Sequence, residues 1–199
     1  SDEEKNRIKA FQKDNENELN DIIKRVKSEY GIEITDKDFK NHSKLGLKLR
    51  LWNEQGGVCP YSGKVIKIDD LLNNNQLFEV DHIVPLSISF DDSRSNKALV
   101  YATENQNKGN RTPFAYLSNV GREWDFHEFM NYVLTTYKGV KFGKKRDNLL
   151  FSEDIYKIDV LKGFISRNIN DTRYASRVVL NVLQSYFEEK ECNTKIKVI

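Results

Sequence analysis

The stretch from Phe78 to Arg111, FEVDHIVPLSISFDDSRSNKALVYATENQNKGNR, constrains this chain more than any other. A short apolar run, Val80-Asp81-His82-Ile83-Val84, carries an acid and a histidine side by side and is stopped by Pro85. A polar loop with Asp91, Asp92, Ser93 and Ser95 follows, then a second apolar run, Ala98-Leu99-Val100-Tyr101, then the polar segment Thr103-Glu104-Asn105-Gln106-Asn107-Lys108-Gly109. Runs this short, bounded by turn residues, predict strand, loop, strand and short helix. That order brings Asp81, His82 and Asn105 within reach of one another.

These residue types suit phosphodiester hydrolysis. The reaction needs a deprotonated water, a counter-charge for the developing phosphorane and a group that holds the leaving oxygen. His82 is the candidate base that titrates near neutral pH without a large shift. Adjacent strand residues point to opposite faces, so Asp81 and His82 can take separate roles. The Asp81 carboxylate and the Asn105 side-chain carbonyl are hard oxygen ligands that, with phosphate oxygens and water, make a Mg²⁺ site; Mn²⁺ satisfies the same ligands. A lone Asp-His pair is more often an ordinary hydrogen-bonded pair, so the weight rests on the whole pattern.

That pattern resembles the HNH, or ββα-metal, nuclease motif. Together with Cys59-Pro60-Tyr61-Ser62-Gly63, Ser95-Asn96-Lys97, Lys108-Gly109-Asn110-Arg111-Thr112-Pro113-Phe114 and Asp171-Thr172-Arg173-Tyr174, it resembles the HNH region of the CRISPR-associated protein nine family of RNA-guided DNA endonucleases, in one of its smaller forms, from about residue 45 to the C-terminus. The resemblance implies that Asp81 binds metal, His82 is the general base and Asn105 completes the metal site, with Asn96 supporting the loop. It implies cleavage of the DNA strand paired to a guide RNA, with sequence read by guide pairing elsewhere, and products with 5′-phosphate and 3′-hydroxyl ends. Lys97, Lys108 and Arg111 are implied neighbours of the scissile phosphate backbone. The implied partners are the guide RNA and target DNA heteroduplex, RuvC-like and other domains of a larger enzyme, and an anti-CRISPR protein. A self-standing HNH nuclease and an inhibitor-docking module remain the alternatives.

The expected fold is α+β, mostly helical, around a two-stranded ββα-metal core. The expected organisation is an N-terminal linker helix over 1–43, the HNH domain over 44–153, a C-terminal linker over 154–174 and the start of a last RuvC-like segment over 175–199. No apolar run approaches the ~20 residues of a membrane span, and the polar start is no signal peptide, so a cytoplasmic setting without membrane contact is expected, a bacterial one as the resemblance implies. Cys59 and Cys192 are too far apart to frame a disulfide scaffold and fit a reducing compartment. Cys59 lacks the second cysteine pair of a zinc knuckle, so no zinc is expected and a buried thiol is. Charge is uneven: residues 1–92 hold 14 basic and 18 acidic residues, residues 93–177 hold 15 and 9. The densest basic run, Lys138 to Arg146, is either a solvated loop or a contact for a phosphate backbone.

Elsewhere, Leu19, Ile22, Ile23, Val26 and Tyr30 mark a helix closed by Gly31, whose narrow apolar stripe suggests a neighbour outside this chain. Residues 35–41 read as a polar connection. Residues 43–54 alternate like a strand but, with Gly56-Gly57 after them, read as a helix. A hairpin is expected around Tyr61-Ser62-Gly63-Lys64, and a short helix begins at Asp69-Asp70, whose carboxylates suit capping better than metal binding. A turn is expected over 112–117, a helix capped by Asp125 after it, another opened by Asp159, an interruption over 168–173, a helix over 173–189 and a terminal strand over 194–199. His42 and His127 stay outside the predicted site.

Overall fold

A computed structural model describes residues 2–118 and 121–168. The helix expected over 173–189, the strand over 194–199 and all but the first residue of the interruption before them lie outside the described residues. The described chain is α+β and mostly helical, built on one antiparallel pair, β1 (Phe78–His82) and β2 (Lys97–Tyr101). Phe78 faces Tyr101 at one end and His82 faces Lys97 at the other. The connection between the strands holds the single-turn helix α5 (Leu86–Ser89) and a 3-10 turn.

A two-stranded ribbon is marginal in water and needs a covered face. Ala98, Leu99 and Val100 are buried on β2, and α3 (Leu45–Glu54) packs against that strand with Leu49, Leu51 and Trp52. Gln55, just past α3, completes the ladder. Its Nε2 donates to the Leu99 carbonyl (2.8 Å) and its Oε1 accepts from the Leu99 N–H (2.6 Å), so one fully buried amide stands where a third strand would bond. Lys48 of α3 donates to the carbonyls of Asn75 and Phe78 (3.2 and 2.7 Å) and to Asn75 Oδ1 (2.6 Å), fixing the chain as it enters β1.

The long helix α1 (Asp2–Tyr30) lays Ile22 and Val26 on α3 and the same core. Of its stripe, expected to need a neighbour from outside, this chain buries Ile22 and Val26 and partly covers Leu19 and Ile23, while Tyr30 stays exposed. Residues 35–41, expected as a connection, form α2 (Asp36–Asn41), because the Asp38 carboxylate accepts from both the N–H and the hydroxyl of Thr35 at 2.8 Å. The residues expected as a hairpin carry one bridge, Val58 to Val65, around buried Cys59 and Tyr61. In α4 (Ile68–Asn73) Asp69 and Asp70 sit in the first turn and accept from the side chains of Asn73 and Asn74.

After β2 the chain enters α6 (Ala102–Lys108) and then α7 (Pro113–Leu117). This second helix replaces the expected turn because Thr112 caps it, accepting from Ala115 N–H at 3.2 Å, and Pro113 suits its first position. Asp125 caps α8 (Phe126–Thr136) through His127 and Glu128 N–H, as its sequence predicts. The remaining helices are α9 (Gly143–Leu149) and α10 (Ile158–Asn168). Here α10 meets α5, where Val84, Ile88, Ile155 and Phe164 form a second, smaller apolar cluster.

Candidate active site

Because α6 starts directly after β2, it lies back across β1. Asn105 and Lys108, three residues apart on α6, share a face, while Glu79 and Asp81, two apart on β1, share one side of the ribbon. The two faces meet. Asn105 Nδ2 donates to Glu79 Oε2 at 2.6 Å, and Lys108 Nζ lies 3.0 Å from Asp81 Oδ2 and 3.2 Å from Oδ1. Tyr61, fully buried in the hairpin, donates its hydroxyl to Asp81 Oδ2 at 2.7 Å. Asp81 is only 6 % exposed. Burial raises its carboxyl above the usual range, opposed by Lys108 and the Tyr61 hydroxyl. Burial likewise lowers the Lys108 ammonium, with Asp81 opposing.

His82, at the end of β1, is half-buried and points into a different group. Its Nε2 is 2.8 Å from Asp92 Oδ1, and the same oxygen is 2.7 Å from Lys97 Nζ. Lys97 and His82 together hold the Asp92 carboxyl below its ordinary value. The loop that delivers Asp92 is tied down by Asn96, which is fully buried. Its amide accepts from Val84 N–H (3.0 Å) and donates to the carbonyls of Val84 and Asp91 (both 2.9 Å) and to Ser89 Oγ (3.1 Å). Asp91 accepts from Ser93 N–H (2.9 Å) and pairs with Lys144 at 2.8 Å. Burial alone would raise the Asp91 carboxyl; the bonds from Lys144 and Ser93 outweigh it and set it low.

Asp81, His82 and Asn105 are therefore gathered on one β1–α6 unit, with Asn105 reaching the carboxylate face through Glu79. Lys108, expected near the phosphate backbone, is 1 % exposed and bonded to Asp81 and the His82 carbonyl. Lys97 is largely covered and paired to Asp92. Arg111 is exposed, its Nε donating to the Lys108 carbonyl at 3.0 Å and its guanidinium lying over Tyr116. In the basic run Lys138 and Lys141 are exposed, Lys144 is exposed but pairs with Asp91, Lys145 is buried on Glu54 at 2.5 Å and Arg146 donates to the carbonyls of Tyr137 and Gly139. Sequence reasoning gave no role to Glu79, Tyr61 or Asp92. Two-residue strand periodicity from Asp81 points to Glu79; nothing in the sequence pairs Tyr61 or Asp92 with its partner.

Among the described residues no group of three or more His, Cys, Asp or Glu side chains is gathered as a metal site, but Glu79, Asp81 and Asn105 are oxygen donors of the type that a hard divalent cation takes. Two carboxylates and an amide share one face, and the Lys108 ammonium already lies on both Asp81 oxygens as a cation would. Residues 59–114, which hold every member of this site, match the family described as HNH endonuclease. The whole chain is 47% identical to CRISPR-associated endonuclease Cas9 1 of Streptococcus thermophilus over 200 residues. The chain is an HNH endonuclease segment of the Cas9 family. Cas9 of Staphylococcus aureus is 46% identical over 76% of it. The chain spans 18% and 15% of the length of these two relatives. The HNH segment also superposes on a crystal structure of Streptococcus thermophilus Cas9 in complex with AGGA PAM, with a TM-score of 0.68 and 46% identity over 100% of this chain and 19% of that one. As an HNH nuclease segment it belongs to a metal-dependent class. Among the described residues, no helix is long and apolar enough to cross a membrane.

Proposed function

We propose that this HNH segment cuts the DNA strand paired to a guide RNA, within a larger bacterial, cytoplasmic effector whose RuvC-like and other domains position the heteroduplex. The observation that carries the reading is the division of β1: Asp81 sits on the face shared with Glu79 and Asn105, while the adjacent His82 imidazole is partly exposed to solvent. Asp81 and Asn105 would hold Mg²⁺, or Mn²⁺, with Glu79 as a neighbouring oxygen donor. Bound there, the ion supplies positive charge to the phosphorane and to the departing 3′ oxygen. His82 takes the proton of the attacking water. Asn96 fixes the loop behind it, and Arg111 is the exposed cation at hand for the phosphate backbone. Products then carry 5′-phosphate and 3′-hydroxyl ends.

The same reading makes residues 44–153 the nuclease unit, 1–43 and 154–174 the connections to its neighbours, and 175–199 the start of another segment. The test is a guide-loaded effector carrying this segment, given a duplex labelled separately on each strand. With Mg²⁺, His82→Ala and Asn105→Ala should each lose cleavage of the guide-paired strand and keep that of the other strand. Undiminished cutting of the paired strand by His82→Ala would overturn the assignment of the base.

A further inference from the structure

We propose that Asp92 is a positioning residue that keeps the proton of neutral His82 on Nε2 and thereby leaves Nδ1 as the nitrogen that receives the proton of the attacking water. This rests on the reading of His82 as the base. His82 and Lys97 are directly opposed across the ribbon, so their side chains rise from the same side. Asp92 enters from the connecting loop and touches both, with one oxygen 2.8 Å from His82 Nε2 and 2.7 Å from Lys97 Nζ. An ionised carboxylate only accepts hydrogen bonds, so the nitrogen facing it must be the donor. A neutral imidazole has one donor and one acceptor nitrogen, which assigns the lone pair to Nδ1.

The surroundings fit this assignment. Among the described residues no hydrogen bond is made to His82 Nδ1, and the imidazole is open enough for water to reach it. Lys97 keeps a positive charge against Asp92, which favours the acceptor form of the carboxylate. The backbone that presents Asp92 is held on both sides, by Asp91 to Lys144 and by the four bonds of buried Asn96. Asp92 itself is 65% exposed at the side chain, so its replacement should leave the fold intact. A contact that served only the fold would gain little from so exposed a carboxylate. The same geometry has one rival use: a cover on Nε2 that substrate must displace before that nitrogen can act.

Two measurements separate these uses. The first is a long-range ¹H–¹⁵N spectrum of the 199-residue chain at alkaline pH, where imidazoles are neutral. It contains three histidines, His42, His82 and His127, so a His82→Ala spectrum assigns the signal. The expected pattern is a protonated Nε2 in slow exchange and an unprotonated Nδ1, with slow exchange lost in Asp92→Ala. The second is single-turnover cleavage in the guide-loaded effector at saturating substrate. Asp92→Ala should slow the guide-paired strand on the order of 10-fold, the scale of an outer group that orients a ligand or base. Binding of DNA and cutting of the other strand should be unchanged, and Asp92→Asn, which keeps an acceptor oxygen, should fall between. A proton found on Nδ1, or an Asp92→Ala enzyme that cuts as fast as wild type or faster, overturns the proposal. If wild type fails to cut the paired strand, the functional reading fails instead, and the spectrum still decides which nitrogen Asp92 faces.

Discussion

Burial of Asp81 sets the terms for the side chains around it. A carboxylate taken out of water is tolerated only with partners, and here the partners are one hydroxyl and one ammonium. Tyr61→Phe removes the first and should cost about 1–3 kcal/mol in a urea melt, the range for a hydrogen bond to a charged group. Lys108→Met leaves the charge buried without a counter-ion and should cost about 3–5 kcal/mol. Asp91 makes a pH prediction. Its folded carboxyl is held low, so its contribution is full above the unfolded value of ~3.9 and is lost as pH falls through the lower, folded value. The stability difference between wild type and Asp91→Asn, measured by urea melts, should therefore be largest near neutrality and shrink in acid below that range. The placement of Asp81 and His82 on a strand and of Asn105 on the next helix was legible in the spacing of the apolar runs. Tyr61 and Asp92 were not, since each reaches its partner through a turn or loop whose path leaves no periodic trace.

Elements were legible where periodicity is long or caps are plain. The pair β1 and β2, α6 and α8 follow from apolar spacing and from Asp125. The alternating leucines of α3 fit two periods, and what settles the matter is that a helix buries Leu45, Leu49 and Trp52 together while letting Gln55 reach β2. The missed helices α2 and α7 are short, and each depends on a side-chain cap that only the folded geometry discloses. The hairpin before β1 shows a similar dependence. Gly63 has φ +67°, and a Cβ there would run into the Trp124 ring, whereas Gly31 has the same φ and open space around it. Gly31→Ala should cost roughly 1–2 kcal/mol for the left-handed backbone alone. Gly63→Ala should cost clearly more, because the indole that donates to the Pro60 carbonyl must move. Thermal melts of the two variants make the comparison, and equal losses would contradict the packing described here.

At the scale of the molecule, the loop between the strands is gripped from both flanks. Glu18 of α1 pairs with Arg94 at 2.6 Å, beside Asp92 and Asn96, and α10 covers the Val84–Ile88 side. Segments that looked from sequence like connectors to other domains thus also brace the loop between the strands, one by an ion pair and the other by an apolar cluster. Composition could not disclose this, nor that Lys144, Lys145 and Arg146 engage Asp91, Glu54 and backbone carbonyls while Lys138 and Lys141 of the same run stay exposed. In the function proposed above, β1 and α6 form one cation-holding nuclease centre. Anomalous diffraction from crystals of the chain soaked in Mn²⁺ tests it most directly. One peak is expected against Asp81 and Asn105, with the Lys108 ammonium displaced from the carboxylate and the peak absent in Asp81→Ala; an ion bound elsewhere, or a bare Asp81 still paired to Lys108 at saturating Mn²⁺, would contradict the account.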